Sequence, residues 1–233
     1  MPTKAERKQI ANLVAYYKDN QTIVAQFMRA VRAALRESPS LSKHIHSMRS
    51  RTKSPKSLKA KLLRKVQECR DKGRTFSLNP NNLLSRINDL AGVRILHLHT
   101  RQFTQINKAL KDIFKEQRFR VVEGPFARTW DDESRAFFAA HGVEIEKSPT
   151  LYTSVHYVIE SASRTKVTCE IQVRTLLEEV WGEVDHAINY PNPSRSLACR
   201  EQIKVLARAT SAATRLVDSI FATVEDFDKK RPK

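Results

Sequence analysis

Two carboxylates in this chain sit where a phosphate-bearing substrate and a divalent cation could meet. Asp89 stands in Asn88-Asp89-Leu90-Ala91-Gly92-Val93-Arg94, directly before a strand-like run. Glu170 stands inside 167–174, where Val167, Cys169, Ile171 and Val173 share one face of a strand and Thr168, Glu170, Gln172 and Arg174 share the other. A strand this apolar on one face belongs near the centre of a sheet. Four polar groups on its other face then imply a cleft, because polar groups are costly to bury unpaired. Two carboxylates converging there suit Mg²⁺, which takes few protein ligands and completes its shell with water and phosphate oxygens. Each acid also has a plainer use, Asp89 as a cap or loop acid and Glu170 in an ion pair with Arg174 or another neighbour.

Phosphate also needs positive charge. The chain has only five glycines, none in a GxxxxGK or GxGxxG pattern, so backbone cradles of the P-loop or Rossmann kind are excluded. Side-chain cations must take that part, and they are concentrated. Residues 49–74 carry eleven Lys and Arg against Glu68 and Asp71, a net +9 of the chain's +17. Ser54-Pro55 reads as an N-cap with Pro at the first helical position, opening a helix to about residue 71. On that helix Ser57, Lys61 and Arg64 share a face beside the apolar stripe Leu58, Leu62 and Val66. Arg51 and Lys53 lie in extended chain just before it, and together these groups could wrap a triphosphate. The competing reading is a solvated cationic helix face.

A third patch is Tyr152-Thr153-Ser154-Val155-His156-Tyr157. Tyr152 precedes a strand and is placed to stack on a base, and Ser154 and His156 share a strand face. A core Tyr and a structural His are the alternatives. His44-x-His46 and His97-x-His99 have metal-like spacing, but no third and fourth ligand accompany them at zinc-site spacing.

The elements that must hold these patches follow from periodicity. Residues 4–37 read as helix with one gap near Asn20, and 38–54 as loop. A short helix follows 79–82. Strands are expected over 93–99, 118–122, 154–160 and 167–174, with a weaker one over 143–146; helices are expected over 102–116, 131–140 and 176–188. Pro191 and Pro193 end the last of these, an amphipathic helix spans 197–228, and 229–233 reads as a disordered solvated tail. The fold class is therefore α/β (α+β), a mixed β-sheet flanked by helices. A helical arm lies at 1–44, a central domain at 45–190, and a C-terminal helix with basic tail at 191–233.

The 233 residues are 40% hydrophobic, enough for a sizeable core, and the +17 charge calls for an anionic partner. Three cysteines, none in a CxxC pair, argue against a disulfide framework. No signal peptide or apolar membrane span is read, so a cytoplasmic protein that avoids membranes is the expectation.

Taken in order, Arg51-x-Lys53-x-x-x-Ser57-x-x-x-Lys61-x-x-Arg64, Asp89-Leu90-Ala91-Gly92-Val93-Arg94, Tyr152-x-Ser154-x-His156 and Glu170-Ile171-Gln172-Val173-Arg174-Thr175 resemble the synthetase domain of the RelA/SpoT family. Trp181, Asp185-His186 and Asn189-Tyr190 resemble its following helix, and the resemblance spans about 45–190. It implies a nucleotidyltransferase-like fold and a GTP diphosphokinase-like enzyme. That enzyme moves the β,γ-pyrophosphate of ATP to the 3′-OH of GDP or GTP. By resemblance, Arg51 and Arg94 sandwich adenine, and Lys53, Ser57, Lys61 and Arg64 hold the ATP phosphates. Asp89 and Glu170 bind Mg²⁺, with Glu170 also taking the 3′-OH proton. Tyr152 stacks on the acceptor base, with Ser154, His156 and Gln172 near, and Glu179 accepts from the guanine edge. The chain departs from the family on the acceptor side: Leu151 replaces a Gly before the stacking Tyr, Lys147 lies one residue further off, and Glu179 replaces Asp or Asn. Acceptor identity is thus the open point. The runner-up reading is a relative that modifies the 3′ end of tRNA, and a further one is a non-catalytic RNA-binding module. Association through the terminal helices is a further expectation of the sequence. No His-Asp dipeptide occurs, so synthesis without hydrolysis is expected.

Overall fold

A computed structural model describes residues 2–148, 150–189 and 193–230. The N-terminal helical stretch is two helices, α1 (Lys4–Asp19) and α2 (Gln21–Glu37). Thr3 and Glu6 form a capping box at the start of α1. The gap at Asn20 is a true break, where its side chain donates to Tyr16 O at 2.8 Å and caps the last turn of α1. A short helix α3 (Pro39–Ser42) leads to strand β1 (Ser47–Thr52). The stretch read as loop therefore contains a strand. Its sequence, Ser-Met-Arg-Ser-Arg-Thr, has no apolar alternation because it forms a sheet edge with polar side chains outward.

Ser54 caps α4 (Pro55–Asp71) as expected, accepting from Ser57 N at 3.1 Å, and Leu58, Leu62 and Val66 are buried. Next come α5 (Pro80–Arg86), β2 (Ala91–His97), a 3-10 turn (Thr100–Gln102), α6 (Phe103–Glu116), β3 (Arg120–Thr129), α7 (Asp132–Ala140) and β4 (Glu144–Lys147). They are followed by β5 (Ser154–Glu160), β6 (Thr168–Thr175), α8 (Leu176–Asn189) and α9 (Leu197–Lys230). Strand β3 runs well past 122. It continues beyond Gly124-Pro125 through a register shift. Tyr190, and Pro191 of the two prolines expected to end the 176–188 helix, lie outside the described residues, as do the tail residues 231–233. Lys229 and Lys230 are helical rather than tail.

The six strands form one mixed sheet in the order β1-β2-β6-β5-β3-β4, with β2–β6 and β3–β4 parallel and the remaining pairs antiparallel. The sheet and helices α1, α2, α4 and α6 share one apolar core, in which Tyr17, Phe103 and Tyr157 are the largest fully buried side chains. Each such side chain contributes about 1.5–3 kcal/mol by burial, so the N-terminal helices are an integral wall of the core. A smaller cluster joins Trp181 of α8 to Ile203 and Ala207 of α9, with Trp181 Nε1 donating to Ile203 O at 3.1 Å. The apolar positions in the second half of α9 fare differently: Leu216, Ile220 and Val224 are more than half exposed. Among the described residues no helix is long and apolar enough to cross a membrane.

Candidate active site

Register brings the three sequence patches into rows across adjacent strands. Arg51 of β1 lies opposite Gly92 of β2, which lies opposite Glu170 of β6. One pleat further on, Arg49, Arg94, Gln172 and His156 stand in line across β1, β2, β6 and β5. All four residues of that second row, and Glu170 in the first, carry polar side chains, so the sheet presents a polar strip bounded by α4 and α8.

Two cavities open on this strip. One, of about 240 Å³, is lined by Arg49, Arg51, Arg94 and Glu183. The other, of about 350 Å³, is lined by Lys61, Phe126, Arg128, Tyr152 and His156. Asp89, Glu170 and Gln172 line both. The two carboxylates thus form the common wall between a guanidinium-rich lobe and an aromatic lobe.

Both acids are anionic in this setting. Burial works to raise Asp89, but Lys61 Nζ at 2.8 Å and Lys53 Nζ at 2.7 Å hold its carboxyl below the usual carboxylate range. Lys53 is mostly buried behind it, its own carbonyl accepting from Tyr17 Oη at 2.5 Å. Burial likewise opposes ionisation of Glu170, and the His156 Nδ1 contact at 2.9 Å outweighs it, so Glu170 also stays below the usual range. Gln172 Nε2 donates to the other Glu170 oxygen at 3.1 Å. The His156 ring lies parallel to Phe126, centroids 5.5 Å apart. Its Nε2 has no hydrogen-bond partner among the described residues.

Other residues singled out by sequence are placed differently. Ser57 and Arg64 share the α4 face with Lys61 but line neither lobe. Tyr152 lines the aromatic lobe but is half-buried, packed against the cluster built on Trp181, with burial raising its phenol above its ordinary pKa. Ser154 is buried, donates to Val173 O at 3.3 Å and lines a third cavity with Glu178 and Asp131. Glu179 does not line the aromatic lobe either. It is 5% exposed and paired with Arg49, Arg94 and Arg174. The expectation of four cleft-facing groups on β6 is also halved. Thr168 is buried and donates to Leu84 O at 3.2 Å, and Arg174 is buried beneath α8, leaving Glu170 and Gln172 open.

Sequence reasoning missed Glu183, Phe126 and Arg128, and it gave Arg49 no role beyond bulk charge. Glu183 follows Glu179 by four residues, which on a helix puts both on the face toward Arg94. Phe126 and Arg128 lie on the half of β3 beyond the strand expected over 118–122. His97, of the metal-like pair, is buried, its Nδ1 sits 3.0 Å from His99 O, and burial lowers it to about 4. Among the described residues, no three His, Cys, Asp or Glu side chains form a self-contained metal cage. Asp89 and Glu170 offer two hard, anionic oxygen donors on one wall, a set that fits Mg²⁺ shared with phosphate.

Residues 50–195 match the family model described as the region found in RelA / SpoT proteins. The GTP pyrophosphokinase YjbM of Bacillus subtilis (strain 168) is 30% identical over 149 residues, which cover 63% of this chain and 61% of that relative. The match therefore spans less than two thirds of the relative's length. The crystal structure of small alarmone synthetase 1 from Bacillus subtilis bound to AMPCPP is similar with a TM-score of 0.60 at 16% identity, over 90% of this chain and 99% of that one. The same synthetase bound to its product pppGpp gives a TM-score of 0.51 at 18% identity, over 91% and 96%. At these identities the two structures establish the shared fold.

Proposed function

The chain belongs to the RelA/SpoT family, and on that premise we propose that it transfers the β,γ-pyrophosphate of ATP to the ribose 3′-hydroxyl of GDP or GTP. The observation that carries the proposal is the pair of lobes sharing Asp89 and Glu170, which suits two substrates meeting over two carboxylates. The relative's printed name as a GTP pyrophosphokinase, and the related synthetase's complexes with AMPCPP and pppGpp, support it.

Residues 45–190 form the catalytic unit in this reading. The guanidinium lobe takes the donor: Arg51 and Arg94 flank adenine. Lys61 and Lys53 supply charge for the polyphosphate, which Ser57 and Arg64 extend along α4. The aromatic lobe takes the acceptor: Tyr152 stacks on the base, and His156 and Gln172 orient the ribose edge through Glu170. The 3′-oxygen attacks the β-phosphorus of ATP, the bond from that phosphorus to the α,β-bridging oxygen breaks, and AMP leaves. Glu170, anionic at neutral pH, accepts the hydroxyl proton. Asp89 and Glu170 would also hold Mg²⁺, which when bound neutralises the phosphate charge. Positioning and charge do most of the work in such transfers.

One experiment tests this. ATP labelled in its β,γ-pyrophosphate is incubated separately with GDP, GTP, ATP and tRNA. Label on GDP or GTP supports the proposal. Label on tRNA alone supports the second reading, which the +17 charge favours; transfer would then fall steeply with salt as phosphate contacts are screened. No label on any acceptor leaves a binding module.

A further inference from the structure

We infer that Glu179 couples the donor and acceptor lobes, as a positioning residue rather than a contact to the acceptor base; this rests on the two-substrate reading above. One carboxylate oxygen faces the donor side. Glu179 Oε1 lies 3.2 Å from an Arg94 terminal nitrogen and 3.4 Å from one of Arg49, and both arginines line the donor lobe. The other oxygen faces the acceptor side, where Glu179 Oε2 is paired with Arg174.

Arg174 carries the connection onward. Its guanidinium carbon lies 5.5 Å from the centroid of the Tyr152 ring, a cation–π contact to the proposed stacking residue. It is 4% exposed, so it has little freedom to swing elsewhere. Gly182, on the same face of α8 as Glu179, makes the passage possible: a Cβ there would stand 2.7 Å from an Arg174 terminal nitrogen. The path Arg94–Glu179–Arg174–Tyr152 thus has one carboxylate at its centre and a planar, always-charged group on either side. Such forks transmit orientation better than flexible ammonium groups.

The geometry also gives a direction. Arg94 divides its charge between Glu179 and Glu183. A donor nucleotide that draws Arg94 onto its base loosens that pairing and leaves Glu179 more fully to Arg174, which steadies Tyr152. Donor binding should then tighten acceptor binding, and linkage requires the reverse effect to be equal.

The test is a set of binding titrations with AMPCPP as donor probe and GDP as acceptor probe, each with and without the other, beside thermal melts. In the wild type each nucleotide should tighten the other by about fivefold or more, the lower end of measured couplings. Glu179→Gln keeps the shape and loses the charge; it should bring that factor close to one while AMPCPP still binds. Glu179→Asp should restore part of it. Gly182→Ala should displace Arg174 and weaken GDP while sparing AMPCPP. Coupling that survives in Glu179→Gln overturns the inference. So does a variant that loses GDP but retains ADP at the acceptor site, since that is the mark of a base reader. A wild type that binds no AMPCPP removes the two-substrate reading itself, an outcome distinct from both.

Discussion

At Glu170 two influences compete, and their balance sets what the residue can do. Burial favours the neutral acid, while His156 and, more weakly, Lys61 favour the anion, and the anion prevails. The side chain is therefore ready to accept a proton at neutral pH, and it stands where both lobes meet. Glu170→Gln keeps the side-chain volume and the carbonyl-type acceptor but cannot take a proton. It should lower kcat by about 10²–10⁴-fold, the span typical of a lost general base. Donor affinity, read by AMPCPP titration, should stay within a few-fold because Arg51, Arg94 and Lys61 are untouched. Turnover close to wild type would move the proton acceptor elsewhere. Neighbouring residues were unevenly legible. Glu170 and Gln172 stood out because a polar pair on an otherwise apolar strand has few uses. Glu179 was read only as a base contact, since nothing in a linear sequence shows that three arginines from two other strands and its own preceding strand converge on it.

Elements with strong periodicity, β5, β6 and α4, were readable because each has a buried face that repeats. Strand β1 was hidden because an edge strand of Ser and Arg has no such face. The far half of β3 was hidden because Gly124-Pro125 resembles a terminator, and that pair is where the element does its positioning. Gly124 has φ +84°, and a Cβ on it would lie 2.3 Å from His156 O. Only glycine lets β3 approach β5 this closely and then bring Phe126 against the His156 ring. Gly124→Ala should cost more than the 1–3 kcal/mol typical of a non-glycine residue in this region, about 3 kcal/mol or more, because backbone must also shift. A urea melt measures that loss. Activity per folded molecule should fall as well, since His156 orients Glu170. A stable, fully active variant would mean that the bulge relaxes freely and has no hold on the site.

For the molecule as a whole, the third cavity sets a pH dependence of folding that is separable from catalysis. His97 and Glu178 both line it, beneath Ser211 and Arg215 of α9. Burial lowers His97 to about 4 and raises Glu178 to about 7. Around Glu178, the Thr153 N–H and Arg174 favour the anion and Asp131 opposes it, yet burial prevails. The signs are opposite at the two ends. Below about pH 6.5 the unfolded chain binds a proton on His97 that the folded one refuses, so stability falls on acidification. Between 4.5 and about 7 the folded chain holds a proton on Glu178 that the unfolded chain has released, so stability falls as pH rises through that window and then levels off. The full Glu178 contribution is at most about 3 kcal/mol, from 1.36 kcal/mol per tenfold change in proton affinity. Glu178→Gln cannot ionise and so escapes that loss, while His97 affects both proteins alike and cancels in their difference. The variant should melt up to roughly 6–12 °C above wild type at pH 8, taking about 2–4 °C per kcal/mol for a chain of this size. At pH 4.5 the two should melt close together. Equal differences at both pH values would show that Glu178 ionises normally in the folded protein.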